Sequence, residues 1–400
     1  MYHAFGARNY KYLRTEYRSG CIYFHMEKKP QHQRCVACGS RHVTLGGRQA
    51  YELRSLPIGG KRTFLVLHLH VLDCKSCGAR RQESRDLADP RKTYTRAFAR
   101  YVLYLTEKMS LKAVAEHLRA GWDLVKGILK ERLEKKARHR RWGQVRRIAI
   151  DEFALRKGHH YMTVVLDLDT GQILFAAEGR DKKTLVPFFR RLARTQSKLE
   201  AIAMDMSGPY AAAVREYGPK SVAVVHDHYH IVSAMNAVID HVRRDEQNRL
   251  SGEGKKVIKG SRYLLLKGRE KLNESPESRS RLDALLKQNE TLHAVYLLKE
   301  DLRLFWQQPS KEAAGAFVSN WIDEALSLRN RHVTTLARTL RRRLAGILAW
   351  YDHPISTGPL EGLNNKIKVM KRVAYGYRDT RFFILRLLFL HETKLRLSGV

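Results

Sequence analysis

The sequence is poor in acid, in cysteine and in long apolar runs. Asp and Glu number 40 against 75 Lys and Arg, a formal net charge of +35 over 400 residues. A compact chain with that surplus repels itself, and a polyanion relieves the repulsion; nucleic acid is the usual one. Five cysteines are too few for a disulfide framework in a cytosolic chain. No apolar run approaches the ~20 residues that span a bilayer; the stretch from Phe382 to Leu390 is broken by Arg386. The N-terminus lacks the apolar region of a signal peptide. A cytoplasmic, nucleoid-associated location without a membrane partner is therefore expected. Internal repeats and low-complexity tracts are missing too. What is present is 44% hydrophobic, enough to build cores rather than a disordered chain. The length suits two or three domains.

Composition and pattern divide the chain into five segments. Residues 1–88 hold all the cysteines and short alternating apolar runs, the mark of a small β-rich module. Residues 89–142 read as helices that end in the basic run Lys135 to Arg141. Residues 143–235 alternate strand and helix patterns, residues 236–350 are helical and charged, and residues 351–400 open with a Pro/Ser/Thr/Gly loop before turning helical again.

Cys35-x-x-Cys38-Gly and Cys74-x-x-Cys77-Gly form two matched knuckles. Each CxxC turn points two thiolates at one centre, and the following Gly permits the tight turn. Together they supply the tetrahedral sulfur set of a structural Zn²⁺ site, so residues 1–88 are expected to form a zinc-ribbon-like domain. The interval between the pairs is long, and a hairpin built on Thr63 to Leu72 would fill it. A redox CxxC would ordinarily occur once, beside a βαβ unit. Cys21 is left over as a plain thiol, and His68 and His70 alternate on a strand pattern.

Ser110 caps a short helix whose apolar positions are Leu111, Val114, Ala115 and Leu118. Arg119-Ala-Gly121 makes a turn, and Asp123 is placed to cap a second helix with Leu124, Val125, Ile128 and Leu129 inward. Helix, glycine turn, helix is the helix-turn-helix layout. Lys126 and Lys130, with Arg132, are the expected DNA contacts; an ordinary helix pair has the same pattern without the basic run.

The acids have their own arrangement. A β run ends in Ile150-Asp151, a second and third strand are joined at Asp169-Thr-Gly171, a fourth ends in Met204-Asp205, and a fifth precedes Asp227-His-Tyr-His230. The order β-β-β-α-β-α-β is that of a ribonuclease-H-like core, so the expected fold class is α/β with this core as catalytic domain. The first strand of that topology is central and the fourth lies beside it, which brings Asp151 and Asp205 together. Two close carboxylates repel unless a cation lies between them, and hard oxygen ligands select Mg²⁺ or Mn²⁺. Two such ions about 4 Å apart would clamp the attacking and leaving oxygens of a phosphodiester. Glu361 is the candidate third acid: on a helix it shares one face with Asn364, Asn365, Lys368 and Arg372, while Leu363, Ile367 and Met370 lie opposite. The magnesium ligands expected are thus Asp151, Asp205 and Glu361, and Lys368 and Arg372 are expected to touch DNA phosphates.

These segments resemble the DDE transposases of bacterial insertion sequences, specifically the ISL-three family. The resemblance rests on both CxxCG pairs, on Ile150-Asp151-Glu152, on Met204-Asp-Met-Ser-Gly-Pro-Tyr210, on His226-Asp-His-Tyr-His230, and on Thr357-Gly-Pro-Leu-Glu-Gly-Leu-Asn-Asn-Lys-Ile-Lys368. It implies metal-dependent cleavage at element ends and transfer of the freed 3′-hydroxyl to target DNA. It also implies a helical insertion before the third acid, where residues 236–350 stand, and a dimer or higher oligomer on DNA. Related transposases carry a Cys-or-Asp-x-x-His element after strand five, which Asp227 and His230 match as supporting residues; Asp227 remains the alternative second acid. The zinc module and helix-turn-helix are expected to bind terminal inverted repeats in double-stranded DNA. A sequence-specific regulator using the N-terminal modules alone, or a structure-specific nuclease of the same fold, are the other readings.

Overall fold

Among the residues described by the computed structural model (2–156, 158, 160–272 and 275–390) lie two five-stranded sheets. Each belongs to its own unit: Met1–Arg140 with Met370–Val400, and Arg141–Val369.

In the first unit β1 (Tyr10–Arg18), β2 (Cys21–Lys28), β4 (Lys61–Cys74) and β3 (Val43–Ile58) lie side by side in that order, with β5 (Arg80–Gln82) on β4. β3 and β4 form a long hairpin in which Ile58 pairs with Lys61 across Gly59-Gly60. The φ angles of 55° and 74° at these glycines are the left-handed pair that a two-residue hairpin turn needs. Alternation along β4 buries Leu65, Leu67 and Leu69 against Tyr10, Met26, Leu53 and Phe5, the last from the single turn α1 (Tyr2–Phe5).

Three helices follow, α2 (Arg96–Thr106), α3 (Leu111–Leu118) and α4 (Trp122–Arg138). Thr95 accepts the N–H of Phe98 at 3.1 Å and Ser110 that of Ala113 at 3.2 Å, so both helices start on a side-chain cap. Arg119, at φ 47°, closes α3. The cap of α4 differs from expectation: Gly121 holds that position and Asp123 lies inside the first turn, where its charge complements the helix dipole. Val114, Leu118, Val125 and Ile128 meet Phe98 and Val102 in one core. Arg54 of β3 donates to the Leu118 carbonyl at 2.8 Å, a bond from the sheet to the three helices within the one compact unit.

The last helix, α16 (Thr380–Leu388), belongs here as well. As part of residues 351–400 it was expected with the catalytic core. Instead Phe382, Leu385 and Phe389 pack on Leu129 and Leu133 of α4. The reason is that α4 has a second apolar stripe, and a helix with one apolar face must bury it. Residues 391–400 lie outside the described residues.

The second unit is built on β6 (Arg147–Arg156), β7 (His160–Asp167), β8 (Ile173–Glu178), β9 (Ala201–Met204) and β10 (Ala223–His226), in the spatial order β10-β9-β6-β7-β8. β7 runs antiparallel to both neighbours, whereas β6, β9 and β10 are mutually parallel. Ile148, Ala149 and Ile150 are fully buried, as a central strand requires. One sheet face carries α5 (Val186–Leu192) and α6 (Gly208–Tyr217), whose Phe188, Phe189 and Tyr210 pack on Ile148, Ile150, Ile202 and Met204.

α7 (His228–Arg249) leaves β10 directly and runs into the helical segment expected over 236–350. It continues through α8 (Gly252–Ile258), α9 (Arg262–Leu266), α10 (Arg269–Leu272), α11 (Pro276–Gln288), α12 (Glu290–Leu304), α13 (Lys311–Ser327) and α14 (Arg331–Leu348) around a core of its own that includes Leu292, Trp321, Leu336 and Leu340. α14 packs along β10 and covers that edge strand. After a loop comes α15 (Gly358–Val373). Among the described residues no helix is long and apolar enough to cross a membrane.

Candidate active site and DNA-binding elements

β6 and β9 are parallel, with Ile150 opposite Met204. The next residue on each chain is an aspartate, so Asp151 and Asp205 stand side by side at the end of β9. β10 repeats the pattern, since His226 pairs with Met204 and Asp227 follows it. Three acids thus occupy equivalent positions on three parallel strands.

Their surroundings differ. Asp151 Oδ1 accepts the N–H of Glu152 at 2.8 Å, and Oδ2 accepts Asn364 Nδ2 of α15 at 3.2 Å. Burial pushes the Asp151 carboxyl above the usual range, with a further upward push from Asp205; the Glu152 N–H, the His230 imidazole and Asn364 oppose this. Asp205 is half-buried and accepts the N–H of Ser207 at 2.9 Å. Asp227 is 1% exposed. Its Oδ1 caps α7 through the Tyr229 N–H at 3.4 Å, and its Oδ2 accepts the Thr357 hydroxyl. Both oxygens of Asp227 are therefore engaged, and they hold the start of α7 to the residue that precedes α15.

Glu152 takes the other sheet face, the side of Ile148 and Ile150, as strand alternation predicts. Burial and then Asp205 raise its carboxyl, and Oε2 is buried without a hydrogen-bond partner. His226, 3% exposed, lies beneath the acids with Nδ1 3.2 Å from the Asp205 carbonyl oxygen; burial lowers its pKa and keeps the ring neutral.

Glu361 occupies the first turn of α15 and is exposed, one turn before Asn364. Lys368 and Arg372 are exposed on the same helix, while Leu360, Ile367 and Met370 are buried. Asp151 and Asp205 are brought together and Asn364 reaches them. Among the described residues, however, the one group of acids, histidines or cysteines whose ligand atoms all lie within 4.8 Å is the set of four cysteines. Glu361 does not complete such a cluster with the aspartates.

That sulfur set is Cys35, Cys38, Cys74 and Cys77, with Sγ separations of 3.7 Å for Cys35–Cys77 and 3.6 Å for Cys38–Cys74. A tetrahedron of sulfurs about 2.3 Å from a zinc has edges of about 3.8 Å, so the four thiols fit the ion. Gly39 and Gly78 take φ of 76° and 68° and close each knuckle onto the Cys35 and Cys74 carbonyls. Burial would raise the Cys74 thiol, but the N–H groups of Cys77 and Ser76 outweigh it and bring it to about 6. Backbone N–H groups lower Cys35 as well, and a lowered thiol is the metal-binding kind. Cys21 is buried and lies outside the cluster.

Lys126 and Lys130 of α4 do not stand free. Both pair with Asp379, at 3.0 and 2.9 Å. Lys126 also lies over the rings of Trp122 and Phe382. Asp379 caps α16 through the Phe382 N–H at 2.9 Å. The Lys130 hydrogen bond and that N–H hold its carboxyl far below the ordinary range. These two lysines therefore hold the residue that caps α16. Trp122, Asp123, Gly127, Glu131 and Arg132 are the exposed positions of α4 from its start through Arg132. Local sequence could not show this, because Asp379 lies 249 residues beyond Lys130.

A family profile described as Transposase matches residues 148–387, and one described as Helix-turn-helix domain of transposase family ISL3 matches residues 83–133. The transposase for insertion sequence element IS1001 of Bordetella parapertussis is 34% identical over 357 residues, 88% of this chain and 87% of that protein. The transposase for element IS1557 of Mycobacterium tuberculosis is 29% identical over 378 residues, 88% and 84%. Among solved structures, the Drosophila P element transposase strand transfer complex aligns with 62% of this chain and 77% of its own at 11% identity, with a TM-score of 0.35. With the transposase profile covering more than half of the sequence and a curated transposase matching along most of it, the chain belongs to transposase family ISL3.

Proposed function

We propose that this transposase cuts DNA at the ends of its element and joins the freed 3′-hydroxyl to target DNA on a ribonuclease-H-like core, with Asp151, Asp205 and Glu361 as the acids. The observation that carries the reading is the register of β6 and β9, which sets Asp151 beside Asp205 at the end of parallel strands. Support for the core comes from the strand order β8-β7-β6-β9-β10 with β7 antiparallel. Asp205 is preferred over Asp227 because Asp227 has both oxygens committed and almost no exposure.

Carboxylate oxygens of this kind fit Mg²⁺ or Mn²⁺; two ions bound there would activate the attacking oxygen and neutralise the leaving one. The chain's own part is positional. Asp151 is held by Glu152 N–H and Asn364, Asp205 by Ser207 N–H, and His230 lowers the cost of charge on Asp151. Asn364 sets α15 against the end of β6, and Glu361, one turn earlier, would be the third carboxylate to hold the metal. Lys368 and Arg372, exposed further along α15, meet phosphates. In this reading the helix-turn-helix and the zinc-held sheet recognise the terminal inverted repeats, a dimer or larger assembly holds two ends, and the protein works in the cytoplasm on the nucleoid.

The test uses a labelled duplex containing the DNA that flanks the gene, with Mg²⁺ or Mn²⁺. Asp151→Asn is expected to abolish cleavage while retaining binding to the duplex. Cleavage at the wild-type rate by Asp151→Asn removes that residue from the site and with it the two-metal reading.

A further inference from the structure

We infer that His226 is a positioning residue for the Asp205 carboxylate and that Gly346, on α14 of the helical insertion, is the space that lets it do so. This rests on the reading of Asp205 as a metal ligand. The ladder between β9 and β10 ends at Met204, whose carbonyl accepts the Asp227 N–H at 3.1 Å. The next carbonyl, that of Asp205, lies past the ladder. The His226 ring takes over there, with Nδ1 3.2 Å from the oxygen. A carbonyl can only accept, so Nδ1 carries the proton. Together with the Ser207 N–H on the carboxylate at 2.9 Å, this bond fixes the peptide that aims the Asp205 side chain.

The ring is confined from the other side by α14. A Cβ at position 346 would lie 2.6 Å from His226 Cδ2, 2.9 Å from Nε2 and 3.2 Å from the Val224 carbonyl oxygen. Contacts under about 3 Å do not occur between packed atoms, and a buried imidazole has no flexible end that could yield. Glycine at 346 is thus the condition for the ring's position. α14 is itself pinned into the insertion core by Leu336, Leu340 and Ile347, so among the contacts of the insertion with β10 the His226 ring is one that continues to Asp205. Partners of this outer kind typically set metal affinity by about 10- to 100-fold.

The experiment titrates Mn²⁺ against the full chain on its duplex, reads binding from the paramagnetic signal of the free ion, and reads in the end-cleavage assay the metal concentration that gives half-maximal rate; the two midpoints are expected to move together. His226→Phe, which keeps a ring but loses the donor, is expected to raise that concentration about tenfold with duplex binding unchanged. His226→Asn, which retains a donor near the Nδ1 position, is expected to recover most of the loss. Gly346→Ala is expected to match His226→Phe. In a His226→Ala background it adds little, because the ring atoms it strikes are gone and only the 3.2 Å approach to the Val224 carbonyl oxygen remains. A merely structural role would shift the melting temperature and leave the metal midpoint in place. An unchanged midpoint in folded His226→Phe, or a full additive shift from Gly346→Ala in the His226→Ala background, overturns the inference. Asp205→Asn separates the two levels. If it cleaves normally, the reading of the site fails; if it is inactive while the midpoints stay fixed, only the role of His226 fails.

Discussion

Replacing Asp227 by Ala tests which aspartate does chemistry and which holds the fold. The substitution deletes the cap of α7, worth about 1 kcal/mol. It also strands the Thr357 hydroxyl, which donates to a charged acceptor in a site where Asp227 is 1% and Thr357 5% exposed; a hydrogen bond of that type contributes about 1.5–3 kcal/mol. The sum is about 2.5–4 kcal/mol. A unit of this size shifts its melting temperature by about 2–4 °C per kcal/mol, so the expected fall is on the order of 10 °C. Asp205→Ala loses one bond, to the Ser207 N–H, at a half-buried position, for about 1 kcal/mol or less and a shift of at most a few degrees. Calorimetry without added Mg²⁺ reads the first quantity, and end cleavage with Mg²⁺ reads the second. The two variants should separate cleanly: Asp227→Ala melts early and keeps some metal-dependent cleavage at low temperature, while Asp205→Ala melts normally and does not cleave. An Asp227→Ala protein that melts with the wild type and is inert, beside an active Asp205→Ala, refutes the reasoning and exchanges the two roles.

Two further outcomes follow from the first unit. Cys38→Ser opens the sulfur tetrahedron, so elemental analysis of purified protein should fall from about one zinc per chain to little or none; a full zinc complement in the variant removes the site. Asp379→Asn takes away the shared partner of Lys126 and Lys130 and should cost about 1 kcal/mol at neutral pH. Because the folded carboxyl is held below its ordinary value, its contribution is complete above about pH 4 and fades as the pH falls through the folded value. Denaturant midpoints of wild type and variant should therefore converge in strong acid, and a gap that widens there contradicts the assignment.

What was legible in the sequence was what short-range pattern dictates. An apolar run closed by an acid, repeated at Ile150-Asp151 and Met204-Asp205, carried both the central strand and its neighbour, because a parallel ladder keeps equivalent ends together. The CxxCG pairs carried the sulfur cluster for the same local reason: each knuckle is complete within four residues. What stayed hidden depends on partners distant along the chain. The pairing of Lys126 and Lys130 with Asp379 has no local signature. Nor does the Thr357 hydroxyl on the second oxygen of Asp227, which sets that acid apart from the other two. α16 carries no sign that its apolar face belongs to α4. Gly346 is an ordinary helical glycine in sequence, and only the ring of His226 gives it a reason.

The charge distribution around Asp151 bears on what the pair of aspartates requires. A chain with a net charge of +35 has cations to spare, and an Arg beside a buried carboxylate would lower its pKa and settle the site permanently. Asp379 is treated in that way by two lysines, and Asp240 by Arg243 and Arg244. Asp151 is treated differently. Its donors are one backbone N–H and one side-chain amide, its burial raises the carboxyl, and Asp205 raises it further. Ionised Asp151 is therefore costly where it lies, and in the proposed site a divalent cation would offset both its burial and the repulsion from Asp205. Side chains that can be exchanged or turned aside, such as Asn364, leave the lone pairs recoverable, whereas a bidentate Arg would not. The same comparison is why the proposed site takes Asp151 and Asp205 rather than Asp227: both oxygens of Asp227 are engaged by the Tyr229 N–H and the Thr357 hydroxyl, while no Lys or Arg pairs with Asp151 in the way two lysines pair with Asp379.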